Sequence, residues 1–461
     1  MKLTVRENAP YVLTTLMAGG GEYGEIFFED TVVSEYRLED NSIEFPIYGR
    51  DTGVGIRLIK DFKTKYGYTS EISKENLLQI ARTLSSVEGE GKIKIGQVYA
   101  KSFTPVIKDI DDISLKIKKD ILYRANDIAR SYSEFIKQVK VVLKEQKRNI
   151  MVINSLGEII EDSQTRISFS VETIASDGKN LYRGYESTGG AVGYELFDED
   201  YVDIIDFVAT KSAERAVIGL KAKPAPAGKF TVVISSQAGG TMIHEAVGHG
   251  LEADLVQQKV SVYSGRLGGK VASEKITVID SGVEAGKNGY INFDDEGTPA
   301  QRTVLIENGI LVGYMHNRLT AMKEGKKSTG NGRRENFRHI PIVRMTNTYI
   351  APGKDNPHDI LADTKKGVYV VKMGGGQVNT VNGDFVFEIL EGYMIENGKI
   401  SYPIKGATLI GNGPKALMDI DAVGYDIGWS IGTCGKDGQG VPVGDAQPTI
   451  RIKELTLGGV E

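Results

Sequence analysis

Lys221-Ala222-Lys223-Pro224-Ala225-Pro226-Ala227-Gly228 divides this chain. Prolines break both helices and central strands, so two prolines closed by a glycine read as a linker or a hard stop. Before this run the sequence alternates helical and strand periods. After it glycine becomes frequent, and short β-rich runs alternate with turns. The expected fold class is therefore α+β. Residues 1–222 are read as an N-terminal α+β domain of antiparallel strands and helices. Residues 228–461 are read as a β-rich domain built on an antiparallel, barrel-like sheet.

Working upstream, a helix is expected from about Asp198 to Leu220, with Tyr201, Ile204, Ile205, Val208, Ala213, Ala216 and Val217 inward. Ile113–Ser133 repeats the helical period. Ser73 opens another helix, Lys74–Ser86. Strand-like runs occupy Glu25–Glu29, Thr31–Leu38, Ser42–Tyr48 and Gly53–Ile59, separated by turn signals such as Glu39-Asp40-Asn41, and predict an antiparallel meander. Further strands are expected at Phe135–Leu143, Ile150–Asn154, Ile159–Asp162 and Arg166–Ala175. The basic stretch Lys137–Arg148 reads as a solvated strand edge followed by a turn.

Downstream, strands are expected at Phe230–Ser235, Ile276–Asp280, Thr303–Glu307, Ile310–Met315, Gly367–Val371, Asp384–Glu388 and Tyr393–Glu396. One convincing helix, Thr241 to about Asp254, stands among them.

A length of 461 residues suggests two or three domains. The net charge of -5 argues against nucleic acid as a partner, because phosphate binding needs a clustered positive field. The single cysteine, Cys434, excludes an intrachain disulfide and fits a reducing compartment. Met1–Asn8 shows no apolar core after its lysine, and no run approaches 18 apolar residues, so neither a signal peptide nor a membrane span is expected. The expected location is the cytoplasm.

The helix Thr241–Asp254 carries the chemistry. His244-Glu245-Ala246-Val247-Gly248-His249 is a His-Glu-x-x-x-His (HExxxH) pattern. In the better-known zinc peptidase motif the two imidazoles stand at i and i+4, on one helix face. A spacing of i, i+5 turns the second ring about 140° from the first on a regular α-helix. The expectation is a π-turn or a helix end at Ala246–Gly250, with Gly248 and Gly250 making the distortion cheap.

A catalytic zinc takes three protein ligands and keeps one open position. Cys434 is the candidate third ligand, in a glycine-flanked loop where Lys436 would help to keep it a thiolate. Glu252 and Asp254 are the alternatives, as ligands or as carboxylates orienting the imidazoles. With zinc in place, Glu245 is the general base for its bound water; alone, it would be a first-turn helix glutamate.

His244–Asp254 resembles the signature of the TldD/PmbA peptidases, on the TldD side. Thr329–Glu335 with Arg344–Tyr349, Lys405–Pro414, and Gly428–Gly438 running on to Pro448–Arg451 agree with it. The resemblance implies zinc (Zn2+) held by His244, His249 and Cys434, with Glu245 catalytic. It implies short or unfolded peptides as substrates in an enclosed chamber. It also implies a dimer, with a TldE/PmbA-like subunit or with itself. The rival reading is a regulatory or binding subunit with a structural metal.

Other candidates carry less. Arg333 or Arg334 could bind a substrate carboxylate or an oxyanion, or form structural ion pairs in a polar turn. His316 and His339 could assist an intermediate or simply pack, and His358 reads as a turn residue. Gly374-Gly375-Gly376 lacks the context of a phosphate-binding loop. Gly383–Tyr393 could be a sheet edge that takes a peptide strand.

Overall fold

A computed structural model describes residues 1–44, 46–87, 92–198 and 203–459. Tyr201, expected on a helix, and Phe45, within an expected strand, lie outside the described residues.

The N-terminal half is one sheet with helices on one side. Its elements are α1 (Lys2–Met17), β1 (Tyr23–Glu39), β2 (Ser42–Ile43), β3 (Ile47–Lys60), β4 (Lys63–Thr69), α2 (Lys74–Ser85), β5 (Val98–Phe103), α3 (Leu115–Ser131), β6 (Ile136–Asn154), β7 (Glu158–Ser176), β8 (Leu181–Gly190) and α4 (Ile204–Lys221). The strand order is β4-β3-β1-β6-β7-β5, with β2 on β1 and β8 on β7. Only β5 runs parallel to its neighbour.

The period-2 pattern sorts the two faces. Ile26 and Phe28 of β1, Val54, Ile56 and Leu58 of β3, and Met151 and Ile153 of β6 pack under α1 and α2. Val141 and Leu143 of β6, with Phe169 and Val171 of β7, pack under α3 and α4. The alternate residues Phe27, Ile150, Val152 and Ile160 turn the other way and meet Phe337 of the C-terminal half. The second face of this sheet is thus a docking face rather than a solvated one.

Lys137–Arg148 is not a solvated edge with a turn but the middle of β6, paired on both sides by β1 and β7. Its buried cation is tolerated because it is matched: Arg148 bonds Glu29 at 2.9 Å and Asp295 at 2.8 Å, while Lys137 and Lys144 stay exposed. Residues 2–17, for which no helix was expected, form one that runs through Pro10 with Val5, Ala9, Val12, Leu13 and Leu16 buried.

Ser73 caps α2 through Asn76 N–H, and Asp203 caps α4 through Ile205 and Asp206 N–H, as short polar side chains do at N-termini. The proline run is tied down. Lys223–Pro224 pairs in parallel with Lys399–Lys405, and Ala225 N–H bonds Lys405 O at 3.0 Å.

In the C-terminal half five strands close into a ring: Lys366–Val378, Gly228–Ile234, Ile450–Gly458, Ala407–Asn412 and Asp384–Glu396. An odd ring cannot alternate throughout. The one parallel pair is Gly228–Ile234 with Lys366–Val378. Val232, Ile234, Val370, Phe387, Leu409 and Ile452 fill its core.

A second sheet runs Ile310–Leu311, Arg302–Glu307, Val278–Ser281, Asn347–Ile350, Gln439–Gln447, Gly428–Lys436. Asp384–Glu396 is paired along both sides, so Gly383–Tyr393 offers no free edge to a peptide strand. Short helices at Arg318–Lys323, Pro357–Ala362 and Gly413–Met418 join the expected one.

Candidate metal centre

Asp445 fixes the start of the His segment by accepting Gly240 N–H at 3.0 Å. Thr241–Ile243 is then α-helical, His244–Gly248 is a π-turn, and His249–Leu251 is a 3-10 turn. His249 N–H bonds His244 O, the i→i−5 contact that defines the π-turn. It brings i and i+5 together, with ring centroids 5.2 Å apart and ring planes at 86°. The expected distortion is present.

Gly248 does not supply it through unusual backbone angles, because its φ is -54°. Its role is space: a Cβ there would stand 2.1 Å from Met345 Sδ.

Cys434 was expected in an accessible glycine loop. It lies instead within the strand Gly428–Lys436, opposite Val441, and is buried. Strand pairing rather than loop freedom positions the sulfur. Its Sγ is 3.4 Å from His249 Nε2. One ligand atom from each of His244, His249 and Cys434 lies within 4.8 Å of the others.

Glu252 and Asp254 stand behind this trio. Glu252 Oε2 is 3.0 Å from His249 Nδ1, so His249 presents Nε2 to the sulfur. Lys436 Nζ sits 3.0 Å from Glu252 and 2.7 Å from Asp254. Lys436 therefore supports the carboxylates and not the thiolate, contrary to expectation.

Glu245 is half-buried. Its carboxylate is 4.0 Å from His249 Nε2 and has no hydrogen-bond partner among the described residues.

The electrostatics follow from these contacts. Burial alone would raise the Cys434 pKa, but the imidazoles of His244 and His249 bring it down to about 5. Burial would also raise Glu252; Lys436 and His249 bring it down to about 2. Burial lowers His249, and Glu252 with Cys434 more than reverses that. Burial pushes the Glu245 carboxyl up.

A thiolate and two imidazoles are a donor set suited to a zinc-like ion. His244 Nδ1 is buried with no partner, an orphan that a metal centre would explain if this nitrogen is its ligand atom. These residues fit a metal.

The remaining candidates are elsewhere. Arg334 is fully buried and pairs with Glu25. Arg333 is held by Met345 O at 2.6 Å and Pro442 O at 2.7 Å. His316 bonds Thr320 and His339 bonds Asn336, neither in the trio. His358 is exposed in the first turn of the helix Pro357–Ala362. The supporting residues that the sequence did not reveal are Asp445 and, in its true role, Lys436. Their partners are 205 and 182 residues away, and no local spacing encodes that.

Residues 227–459 match the PmbA/TldA metallopeptidase C-terminal domain, 108–220 the central domain and 24–87 domain 1. A metalloprotease TldD homolog of Buchnera aphidicola from Acyrthosiphon pisum is 38% identical over 450 residues, covering 95% of this chain and 93% of that one. A zinc metalloprotease TldD homolog of Saccharolobus solfataricus is 29% identical, covering 95% and 97%. TldE from Thermococcus kodakarensis superposes with a TM-score of 0.76 at 18% identity, covering 99% and 100%. A Thermotoga maritima protein described as a candidate modulator of a DNA gyrase gives a TM-score of 0.79 at 24% identity, covering 95% and 96%. Among the described residues no helix is long and apolar enough to cross a membrane. With all three family domains in order and a TldD homolog aligned along nearly its whole length, this chain belongs to the PmbA/TldD metallopeptidase family.

Proposed function

We propose that this chain hydrolyses peptide bonds, with zinc held by His244, His249 and Cys434 and with Glu245 as the general base. The observation that carries the reading is the convergence of these three donors beside a carboxylate left free of other partners. A bound zinc ion would supply Lewis acidity at the scissile carbonyl and ease deprotonation of water near neutral pH. Glu245 would take the proton from the attacking water and return it to the leaving amine, and its raised pKa suits that second transfer. Glu252 orients His249 through Nδ1.

All three donor residues are buried, which favours extended, short or unfolded peptides over folded proteins. We further propose that residues 1–222 form a gating and assembly domain. We propose a dimer, with itself or with a TldE/PmbA-like subunit of the same fold, and a reducing, cytoplasmic setting that keeps Cys434 from oxidation.

Elemental analysis with a peptide-hydrolysis assay tests the site. Wild type is expected to hold about one zinc per chain, in line with a site built from three protein ligands. Cys434→Ala is expected to lose most of it. Full zinc in Cys434→Ala would remove the cysteine from the ligand set.

Glu252→Gln tests the orienting carboxylate. Zinc affinity in a competition titration is expected to fall about 10–100-fold, the usual cost of losing such a partner. An unchanged affinity would leave Glu252 with no part in the site.

A further inference from the structure

A cavity of about 600 Å3 lies between the docking face of the first sheet and the hairpin Gly428–Gln447. Arg166, Ser168 and Ser170 of β7 form one wall; Arg333, Thr433 and Pro442 form the other. None of His244, Glu245, His249 and Cys434 lines it, yet Thr433 directly precedes Cys434.

The walls carry two buried guanidiniums that touch no carboxylate directly, although Asp162 and Asp295 near Arg166, and Asp295 and Asp280 near Arg333, partly offset their charge. Arg166 and Arg333 are about 5% and 4% exposed. Neither forms an ion pair among the described residues. Arg166 bonds Asn288 O, Gln164 Oε1 and Tyr290 O at 2.8–3.0 Å. Arg333 bonds only the carbonyls of Met345 and Pro442. Each guanidinium offers five donors, so both keep some unused.

Neither carboxylate on the lining pairs with Arg166 or Arg333. Glu145 is held by Lys118 and Tyr194 on the helix side of the sheet. Glu335 is exposed and accepts Gly440 N–H at 2.6 Å. Arg148, also on the lining, is matched by Glu29 and Asp295. A buried cation is costly unless it is paired, and a cavity of this size holds an organic ligand rather than a bare ion.

We propose that this cavity binds the free C-terminal carboxylate of a short peptide, which gives Arg166 and Arg333 the direct carboxylate contact that the described residues do not. The hydroxyls of Ser168, Ser170 and Thr433 are placed to bond the polar backbone that follows. The choice of a peptide rests on the peptidase reading above and on the hairpin shared with Cys434. The anion site itself rests on the arginines alone.

Calorimetry on the full chain tests it, with N-acetyl-trialanine, its C-terminal amide and inorganic phosphate as probes, each with and without a chelator. The acid is expected to bind at least tenfold more tightly than the amide, with the preference unchanged by the chelator. Arg166→Gln and Arg333→Gln are expected to reduce the acid to the level of the amide, in variants whose thermal melts show a retained fold. Should either variant not fold, the wild-type comparison of acid with amide still decides.

Equal binding of acid and amide would overturn the proposal. So would a preference that vanishes with the chelator, because the carboxylate would then sit on the metal. Phosphate binding as tightly as the acid would overturn the peptide assignment in favour of a simple anion. Hydrolysis is scored separately: a chain that binds the acid selectively but cleaves nothing fails the peptidase reading and keeps this site.

Discussion

Glu245→Gln is expected to keep its metal and lose peptide hydrolysis by about 100- to 10,000-fold, the range that general acid–base catalysis contributes. The amide replaces the carboxylate at nearly the same volume but cannot accept a proton at neutral pH. The carboxylates of Glu252 and Asp445 are committed to other partners. Glu252 is fixed between His249 and Lys436, and its pKa of about 2 makes it a poor base. Asp445 accepts Gly240 N–H and bonds Ser430. The measurement is kcat on an unstructured peptide together with zinc content in the same preparation. Zinc retained with activity within threefold of wild type would remove Glu245 from the mechanism. Zinc lost along with activity would make it a structural residue.

The second large effect is on stability, at the junction of the two halves. Glu25 of β1 is wholly buried between Arg57 of β3 and Arg334 of the C-terminal half. Arg57 in turn bonds Glu296 at 2.6 Å, and the Arg334 guanidinium lies 4.1 Å over the Phe27 ring. Removing one member of such a set leaves a buried charge without its partner. Glu25→Ala is therefore expected to cost about 3–5 kcal/mol, read as a lower midpoint in chemical denaturation at neutral pH. A loss below about 1 kcal/mol would show that the surrounding carbonyls and the Tyr66 hydroxyl suffice for Arg334.

The pH dependence has a definite sign. Burial raises the Glu25 pKa, but Arg57 and Arg334 hold it below the ordinary 4.5. A depressed carboxylate contributes stability above its unfolded value and loses it as acid protonates the folded state. The gap between wild type and Glu25→Ala is expected to be constant above about pH 4.5 and to narrow below it.

Much of the site could be read from the residues, and the reason is local. His244, Glu245 and His249 are close in sequence, so a spacing argument reaches them. The conflict between i, i+5 and a regular helix was itself the signal for the π-turn. The helix Lys74–Ser85 was legible from its serine cap and apolar stripe, and Leu115–Ser131 from its apolar period alone. The helix Lys2–Met17 carries its apolar residues at helical spacing, but Pro10, a residue that reads as a helix breaker, stands within it and no side chain caps it.

What the sequence did not reveal depends on partners far along the chain. Lys137–Arg148 looks like a solvated face because five of its side chains are cationic. Only pairing with β1 and β7, and the carboxylates of Glu29 and Asp295, allow Arg148 to be buried there. Likewise Gly383–Tyr393 has the composition of an edge, and closure of the five-strand ring removes that edge. By itself the sequence determined the α+β class and the closeness of two imidazoles and a carboxylate in the candidate site, both set by short-range periodicity and spacing. Only the tertiary structure decided that Cys434 meets His249, that Lys436 serves Glu252 rather than the thiol, and that Arg166 and Arg333 line one cavity. Those contacts join residues on separate strands, turns and halves, and strand register and domain docking fix them where local sequence cannot.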